Sequence, residues 1–186
     1  MLLDEKVAAL SRALSGAGIP FAFGGAIALA YHATPRGTHD VDINLFLPTS
    51  EFDRVLGALQ PIGVAPPTPE MRKVLERDEQ LRLFWDSTPL DLFFSYNELH
   101  EACVARTRTV PFGAEEIPIL GAENLAIFKV LFARDKDWRD LREMVFAQAP
   151  NFDAEYVIDW LGRILPAEDE RMLRCREILD LHTREA

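Results

Sequence analysis

Apolar and polar residues follow two distinct periods along the chain. In residues 3–16 the apolar side chains recur at helical spacing, and Gly16 and Gly18 stop the pattern, so it predicts an amphipathic helix that ends there. Residues 19–23 are short, apolar and aromatic and predict a strand, while residues 26–32 have helical composition. Residues 40–47 alternate polar and apolar side chains, which predicts a strand with one buried face.

The middle of the chain predicts more strands, and its last third is helical. Residues 80–85 and 90–95 flank a short turn and predict an antiparallel pair, and residues 106–112 and 117–120 predict two short strands. Further helices are predicted at about 50–59, 69–78, 97–105, 122–133, 136–147, 153–164 and 167–183. This order predicts an α+β protein with a small mixed sheet flanked by helices, divided into a core (1–120) and a helical C-terminal region (121–186).

Composition narrows the class of protein. Of the 186 residues, 48% are hydrophobic and 27% charged, which excludes a disordered or membrane-embedded chain. The formal net charge of -10 disfavours nucleic-acid binding over the surface as a whole, so a nucleic-acid partner would have to be bound locally. Two isolated cysteines and an acidic start without a signal-peptide pattern lead us to expect a cytoplasmic protein with no membrane partner.

Two aspartates stand two positions apart on the alternating strand. Asp40 and Asp42 therefore project to the same side, with Cα atoms about 6.6 Å apart. Carboxylates aimed at one place attract divalent cations, and their hard oxygens favour Mg²⁺ or Mn²⁺. An isolated pair of this kind also suits a solvent-facing strand edge, and the tripeptide alone does not choose between these interpretations.

A glycine pair lies upstream of these aspartates. Gly24 and Gly25 stand at a predicted strand-to-helix turn, where bare backbone N–H groups and a helix N-terminus favour a phosphate. Taken alone, two glycines more often mark a simple turn. Followed by Asp40 and Asp42 on a strand, they indicate a site for a triphosphate and its metal ions.

The segment Phe23-Gly24-Gly25 followed by Arg36-Gly37-Thr38-His39-Asp40-Val41-Asp42-Ile43 resembles the signature of the polymerase-beta-type nucleotidyltransferase superfamily. Within that superfamily it is similar to the AbiEii and MenT group of nucleotidyltransferase toxins. The resemblance implies a small mixed sheet with an appended helical region. It also implies metal-dependent transfer of a nucleotide from a nucleoside triphosphate to an RNA such as the tRNA 3′ end, and a cognate antitoxin as partner.

The resemblance also implies a third carboxylate, on a later strand. Asp91 is the candidate, since it is the one acid in the apolar stretch Pro89-Leu90-Asp91-Leu92-Phe93-Phe94. Asp86, just before the turn, is the alternative. The resemblance further implies that the backbone at Gly24 and Gly25, together with Thr38, holds the triphosphate and that Arg36 supplies positive charge.

A later helical motif of the same group is matched by residues 121–141. There the resemblance implies that Lys129 contacts nucleotide phosphates, although an exposed structural lysine is the simpler interpretation of one such residue. Asp137 and Asp140 lie three apart on one helix face. They are predicted either to orient Lys129 or the nucleotide, or to form salt bridges with Arg134 or Arg139.

Two other functions fit the sequence. The acidic charge suits a cationic small-molecule acceptor of the aminoglycoside or lincosamide type, a class of enzyme that the superfamily contains. A nucleotidyltransferase-like binding module without catalysis is the third hypothesis, which the presence of all the expected acids makes less attractive.

Overall fold

The computed structural model describes residues 1–95 and 97–185, with side chains through residue 180. The elements in chain order are α1 (Leu3–Gly16), β1 (Phe21–Phe23), α2 (Gly25–Leu29), β2 (Val41–Leu45), α3 (Phe52–Leu59), α4 (Pro69–Asp78), β3 (Gln80–Trp85), β4 (Thr88–Phe94), α5 (Glu98–Ala105), β5 (Arg108–Phe112), β6 (Glu115–Ile119), α6 (Ala122–Phe132), α7 (Asp135–Gln148), α8 (Ala154–Ile164) and α9 (Glu170–Glu185). Short 3-10 turns at Thr49–Glu51 and Gln60–Ile62 precede and follow α3.

The strands form one mixed six-stranded sheet in the order β3-β4-β2-β1-β6-β5. The pairs β2-β4 and β1-β6 are parallel, and the other three neighbouring pairs are antiparallel. This architecture confirms the predicted fold class, an α+β protein with a mixed sheet flanked by helices.

The chain divides into two compact units. The first consists of Met1–Ile27 and Gly37–Leu120 and contains the whole sheet, and the second consists of Ala28–Arg36 and Gly121–Ala186. The main segment of the second unit begins at Gly121, and the predicted division into a catalytic core and a helical region stays a prediction. Ala28–Arg36, which precedes that boundary in the sequence, groups with the second unit as well.

The core of the first unit contains the apolar side chains that alternate with polar ones along β2 and β4. Val41, Ile43 and Leu45 on β2 are completely buried, as are Leu90 and Leu92 on β4. Burying an aliphatic side chain of this size contributes roughly 1.5–3 kcal/mol each. The residues between them, which include Asp42 and Asp91, consequently lie on the opposite face of the sheet.

The second unit has its own core. Val130 on α6, Leu141 and Met144 on α7, Leu161 on α8 and Met172 on α9 are fully buried. Within the described residues, no helix is both long enough and apolar enough to cross a membrane.

A buried lysine fixes the hairpin that carries β3 and β4. Lys6 on α1 is 3% exposed, and its Nζ donates hydrogen bonds to the Trp85 carbonyl at 2.7 Å, to Thr88 Oγ1 at 3.0 Å and to Asp86 Oδ2 at 3.2 Å. These bonds satisfy the buried ammonium and attach the turn to the first helix. Asp86 therefore has a structural partner at the turn.

A buried histidine makes the stability of the first unit depend on pH. His100 on α5 is 2% exposed, and burial lowers its pKa to about 4. Because the unfolded chain takes up this proton at an ordinary pKa of about 6.5, we expect stability to fall by about 2 kcal/mol between pH 7.5 and pH 5.

Urea denaturation at the two pH values tests this expectation. In His100→Gln the fall in stability between the two pH values should be smaller than in wild type by about 2 kcal/mol. In His39→Gln the fall should equal that of wild type, since His39 is exposed. If His100→Gln shows the same fall in stability as wild type, the pH dependence arises from other groups.

Candidate active site

Asp42 and Asp91 lie side by side on two neighbouring parallel strands. They are direct Cα partners in the β2-β4 ladder, so their side chains emerge on the same face of the sheet. Both are partly exposed, whereas the flanking residues of each strand are buried. The structure thus brings together the second predicted carboxylate and the candidate for the third.

The glycine turn rests against the Asp42 carboxylate. Gly24 N donates a hydrogen bond to the Asp42 carbonyl at 2.9 Å. Gly25 has φ +50°, and a Cβ at that position would stand 1.7 Å from Asp42 Oδ2. Only glycine accommodates both the left-handed backbone and the close carboxylate. The two halves of the predicted site are therefore in direct contact.

Asp40 lies just before β2 and is held by Thr38. The Thr38 hydroxyl donates to Asp40 Oδ1, and the Asp40 backbone N–H donates back to Thr38 Oγ1 at 3.3 Å. This loop orients the Asp40 carboxylate. The predicted contact of Thr38 with a triphosphate remains a prediction, and the contact seen here is with Asp40.

Arg82, on the edge strand β3, approaches the carboxylates from the other side. Its Nε and Nη2 donate to Asp91 Oδ1 and Oδ2 at 2.7 and 2.6 Å, a bidentate pair. The hydrogen bonds that Arg82 donates to Asp91, together with the charges of Asp91, Asp40 and Asp42, raise the pKa of Arg82. The Arg82 guanidinium thus neutralises part of the negative charge of Asp40, Asp42 and Asp91, which we call the acidic cluster.

Asp86, the alternative third carboxylate, stands elsewhere. It lies in the two-residue turn before β4 and binds Lys6, whereas Asp91 is the residue in register with Asp42. No group of three or more His, Cys, Asp or Glu side chains within residues 1–95 and 97–180 already has the arrangement of a metal site. Both oxygens of Asp91 are directed to Arg82 in this conformation.

The remaining predicted residues form a network of ion pairs in the second unit. Lys129 is 3% exposed, and its Nζ donates to Asp140 Oδ2 at 2.6 Å. Arg36 donates to the same carboxylate through Nε at 3.1 Å and Nη2 at 3.0 Å. Burial opposes ionisation of Asp140, but the hydrogen bonds from Arg36 and Lys129 outweigh it and lower its pKa.

Asp137 extends this network to the start of α7. It accepts hydrogen bonds from Arg134 Nε at 2.6 Å and from the Arg134 backbone N–H at 3.2 Å, and it lies 3.7 Å from Lys129 Nζ. Both predicted alternatives for the two aspartates therefore occur: Asp140 orients Lys129, and Asp137 pairs with Arg134. Lys129 is buried, so the simpler interpretation of it as an exposed structural lysine is wrong. Contact of Lys129, Arg36, Asp137 and Asp140 with a nucleotide stays a prediction.

Solved structures with this architecture supply an independent comparison. A nucleotidyltransferase-like antigenic protein from Paracoccidioides brasiliensis is 14% identical, with a TM-score of 0.51 over 92% of each chain. The antibiotic-resistance factor ANT(2'')-Ia is 11% identical, with a TM-score of 0.54 over 98% of this chain and 91% of that one. The lincosamide antibiotic adenylyltransferase LnuA, bound to lincomycin, is 12% identical, with a TM-score of 0.52 over 77% and 96%.

The chain has the nucleotidyltransferase fold. No protein-family model and no curated protein matches its sequence. At these identities the likeness establishes the fold alone, and it does not show membership of the AbiEii and MenT group.

Within this nucleotidyltransferase fold, Arg82 is the residue that sequence reasoning missed. The length of the hairpin turn could have revealed it, because that length decides which residue of β3 stands opposite Asp91. Residues 86–89 were expected to form the turn, but only Asp86 and Ser87 do so, and Pro89 already belongs to β4. The shorter turn pairs Trp85 with Thr88 and hence Arg82 with Asp91.

The cysteines take no part in the site. Cys103 and Cys175 are buried and free, and burial raises the pKa of each thiol to about 12. Burial therefore disfavours the reactive thiolate form of both residues.

The contact between Gly25 and Asp42 predicts the effect of Gly25→Ala. The added Cβ must displace the Asp42 carboxylate and adopt a left-handed backbone, which we expect to cost about 1–3 kcal/mol of stability. Gly57→Ala is the matched control, because nothing lies within 4 Å of a Cβ there and Gly57 is inside α3. Urea denaturation should show the first variant less stable than wild type and the second equal or more stable. Equal stability of the two variants would contradict the contact.

Proposed function

We propose that the chain is a metal-dependent nucleotidyltransferase that uses a nucleoside triphosphate as donor. The observation that carries the proposal is the register of Asp42 and Asp91, with the Gly24-Gly25 turn packed against the Asp42 carboxylate. The fold supports the same proposal, since solved structures that share it include LnuA, which is described as a lincosamide antibiotic adenylyltransferase.

The donor set fits a divalent cation. Asp40, Asp42 and Asp91 offer only carboxylate oxygens, which suit Mg²⁺ or Mn²⁺ better than Zn²⁺. The cluster already attracts a cationic group, the Arg82 guanidinium. When bound, divalent cations would neutralise the triphosphate and the departing pyrophosphate.

The chain's own residues would position the reactants. Thr38 orients Asp40, and the half-buried backbone at Gly25 would lie along the triphosphate, whereas Gly24 is buried and its N–H, expected to be bare, is bonded to the Asp42 carbonyl. A carboxylate oxygen of Asp42 or Asp91 would accept the proton of the attacking hydroxyl. Lys129 and Arg36, held by Asp140 and Asp137, are proposed to supply positive charge to the phosphates. Catalysis would arise chiefly from positioning and charge neutralisation.

For the acceptor we propose an RNA, such as the tRNA 3′ end, in a toxin with a cognate antitoxin. The support is the motif that includes Arg36, Thr38, Asp40 and Asp42. Local basic contacts would have to bind the RNA, because the net charge is -10.

A second acceptor class is favoured by charge. Two arginines that could contact RNA are already paired with acids: Arg72 lies 2.9 Å from Asp53, and Arg77 lies 2.6 Å from Asp78. An acidic surface suits a cationic small molecule, and both ANT(2'')-Ia and LnuA are described as acting on antibiotics or conferring resistance to them.

One experiment separates these acceptors. The protein is incubated with Mg²⁺ and each α-labelled triphosphate, together with total tRNA, an aminoglycoside or a lincosamide. Label in RNA supports the toxin-type enzyme, and label in the antibiotic supports the second class. Absence of transfer to any acceptor, despite nucleotide binding, would favour the non-catalytic module.

A further inference from the structure

The acidic cluster of the first unit carries a positive charge of its own. Arg82 and Asp91 are direct Cα partners across the β3-β4 hairpin, and Asp91 is in turn the Cα partner of Asp42. Asp42, Asp91 and Arg82 therefore form one row across three adjacent strands, on the same face of the sheet.

The guanidinium is bound in the geometry that a carboxylate prefers. Its two hydrogen bonds to Asp91, at 2.7 and 2.6 Å, occupy both carboxylate oxygens. The charges of Asp40 and Asp42 also act on Arg82. The Arg82 guanidinium thus offsets part of the repulsion between the neighbouring carboxylates of Asp42 and Asp91.

This pairing can be exchanged. The Arg82 side chain is 55% exposed on the edge strand β3, whereas Asp91 is 18% exposed. The guanidinium can leave Asp91 for water without being desolvated, and a divalent ion brings twice the charge to the same oxygens.

We propose that Arg82 is an exchangeable counter-ion, which holds Asp91 in the metal-free protein and competes with the divalent cation for that carboxylate. The inference rests on the proposed function in one respect: it takes Asp40, Asp42 and Asp91 to be the metal ligands. Metal binding then includes the release of Arg82 from Asp91, and the measured metal affinity is lower than the carboxylates alone would give.

The test is Mn²⁺ binding by the metal-free full-length chain, with free Mn²⁺ followed by its electron paramagnetic resonance signal. Arg82→Gln removes the competitor and should bind Mn²⁺ about threefold to tenfold tighter than wild type. Arg82→Lys keeps the charge but loses the bidentate fork, so its affinity should lie between the two. Affinity in Arg82→Gln that equals or falls below wild type overturns the proposal.

Arg77→Gln is the matched control. Arg77 forms the same bidentate pair with Asp78, at 2.6 and 2.7 Å, and its removal changes the net charge equally. Its Mn²⁺ affinity should stay within about twofold of wild type. A rise equal to that of Arg82→Gln would show a general charge effect and overturn the proposal.

Two further results separate this inference from the proposed function. If wild type and Arg82→Gln bind Mn²⁺ equally while Asp42→Asn loses binding, the metal site stands and the exchange is wrong. If neither wild type nor Arg82→Gln binds Mn²⁺, both are wrong. Thermal denaturation gives a second readout, since Mn²⁺ should raise the melting temperature of Arg82→Gln more than that of wild type.

Discussion

Asp42→Asn should lower nucleotidyl transfer by at least about a thousandfold while leaving the fold intact. Asparagine has nearly the same shape as aspartate, so the tight contact with Gly25 is preserved. The change removes the negative charge from the carboxylate that lies beside Asp91. Labelled-triphosphate transfer measures the loss, and circular dichroism with urea denaturation shows whether the protein remains folded. Asp40→Ala should also abolish transfer without unfolding the protein.

Asp86→Asn is the matched control for this prediction. Asp86 lies on the same hairpin as Asp91, but its side chain is 74% exposed and binds Lys6. Its replacement should leave transfer within about threefold of wild type, because Asp86 lies outside the register of Asp42 with Asp91, and asparagine keeps an acceptor oxygen for Lys6. Comparable losses in Asp42→Asn and Asp86→Asn would contradict the assignment of the site to the β2-β4 pair.

Lys129→Met should destabilise the protein by about 2–4 kcal/mol, whatever its effect on transfer. Lys129 and Asp140 are both almost completely buried, and their 2.6 Å pair is the centre of the network in the second unit. Loss of the ammonium leaves the buried Asp140 carboxylate with Arg36 as its remaining strong donor. Urea denaturation measures the change.

Arg139→Met provides the comparison for Lys129→Met. Arg139 is exposed on α7, and its removal should change stability by less than about 0.5 kcal/mol. Equal stability of the two variants would show that the buried pair contributes nothing.

Folding lowers the pKa of Asp140, so the ionised carboxylate stabilises the folded protein. This contribution to stability is complete above the unfolded pKa of about 4 and is lost as the pH falls further.

Much of the fold was predictable because local signals agree with the packing. The helix over residues 3–16 has the bounds that its apolar spacing and terminal glycines predict. The helix Pro69–Asp78 begins after Thr68, whose side chain accepts the hydrogen bond from Met71 N that the cap signal implies. The strand predicted over 40–47 is shorter, Val41–Leu45, because ladder pairing with β1 and β4 ends there.

The site was only partly predictable, for a physical reason. Asp40, Asp42 and the glycines are close in sequence and follow a known motif, and Asp91 was inferred from one acid in an apolar strand. Arg82 depends on the register of a hairpin, which a change of turn length shifts. The pairing of Arg36 with Asp140 joins positions 104 residues apart, and no local pattern encodes it.

Calorimetry with Mg²⁺ and each nucleoside triphosphate tests a metal-dependent nucleotide site at Asp42 and Asp91 most directly. At least one triphosphate should bind wild type at a stoichiometry of about one. The binding should be lost in Asp42→Asn and on removal of Mg²⁺. Absence of binding for every triphosphate, or equal binding to wild type and Asp42→Asn, would contradict the proposed nucleotidyltransferase site.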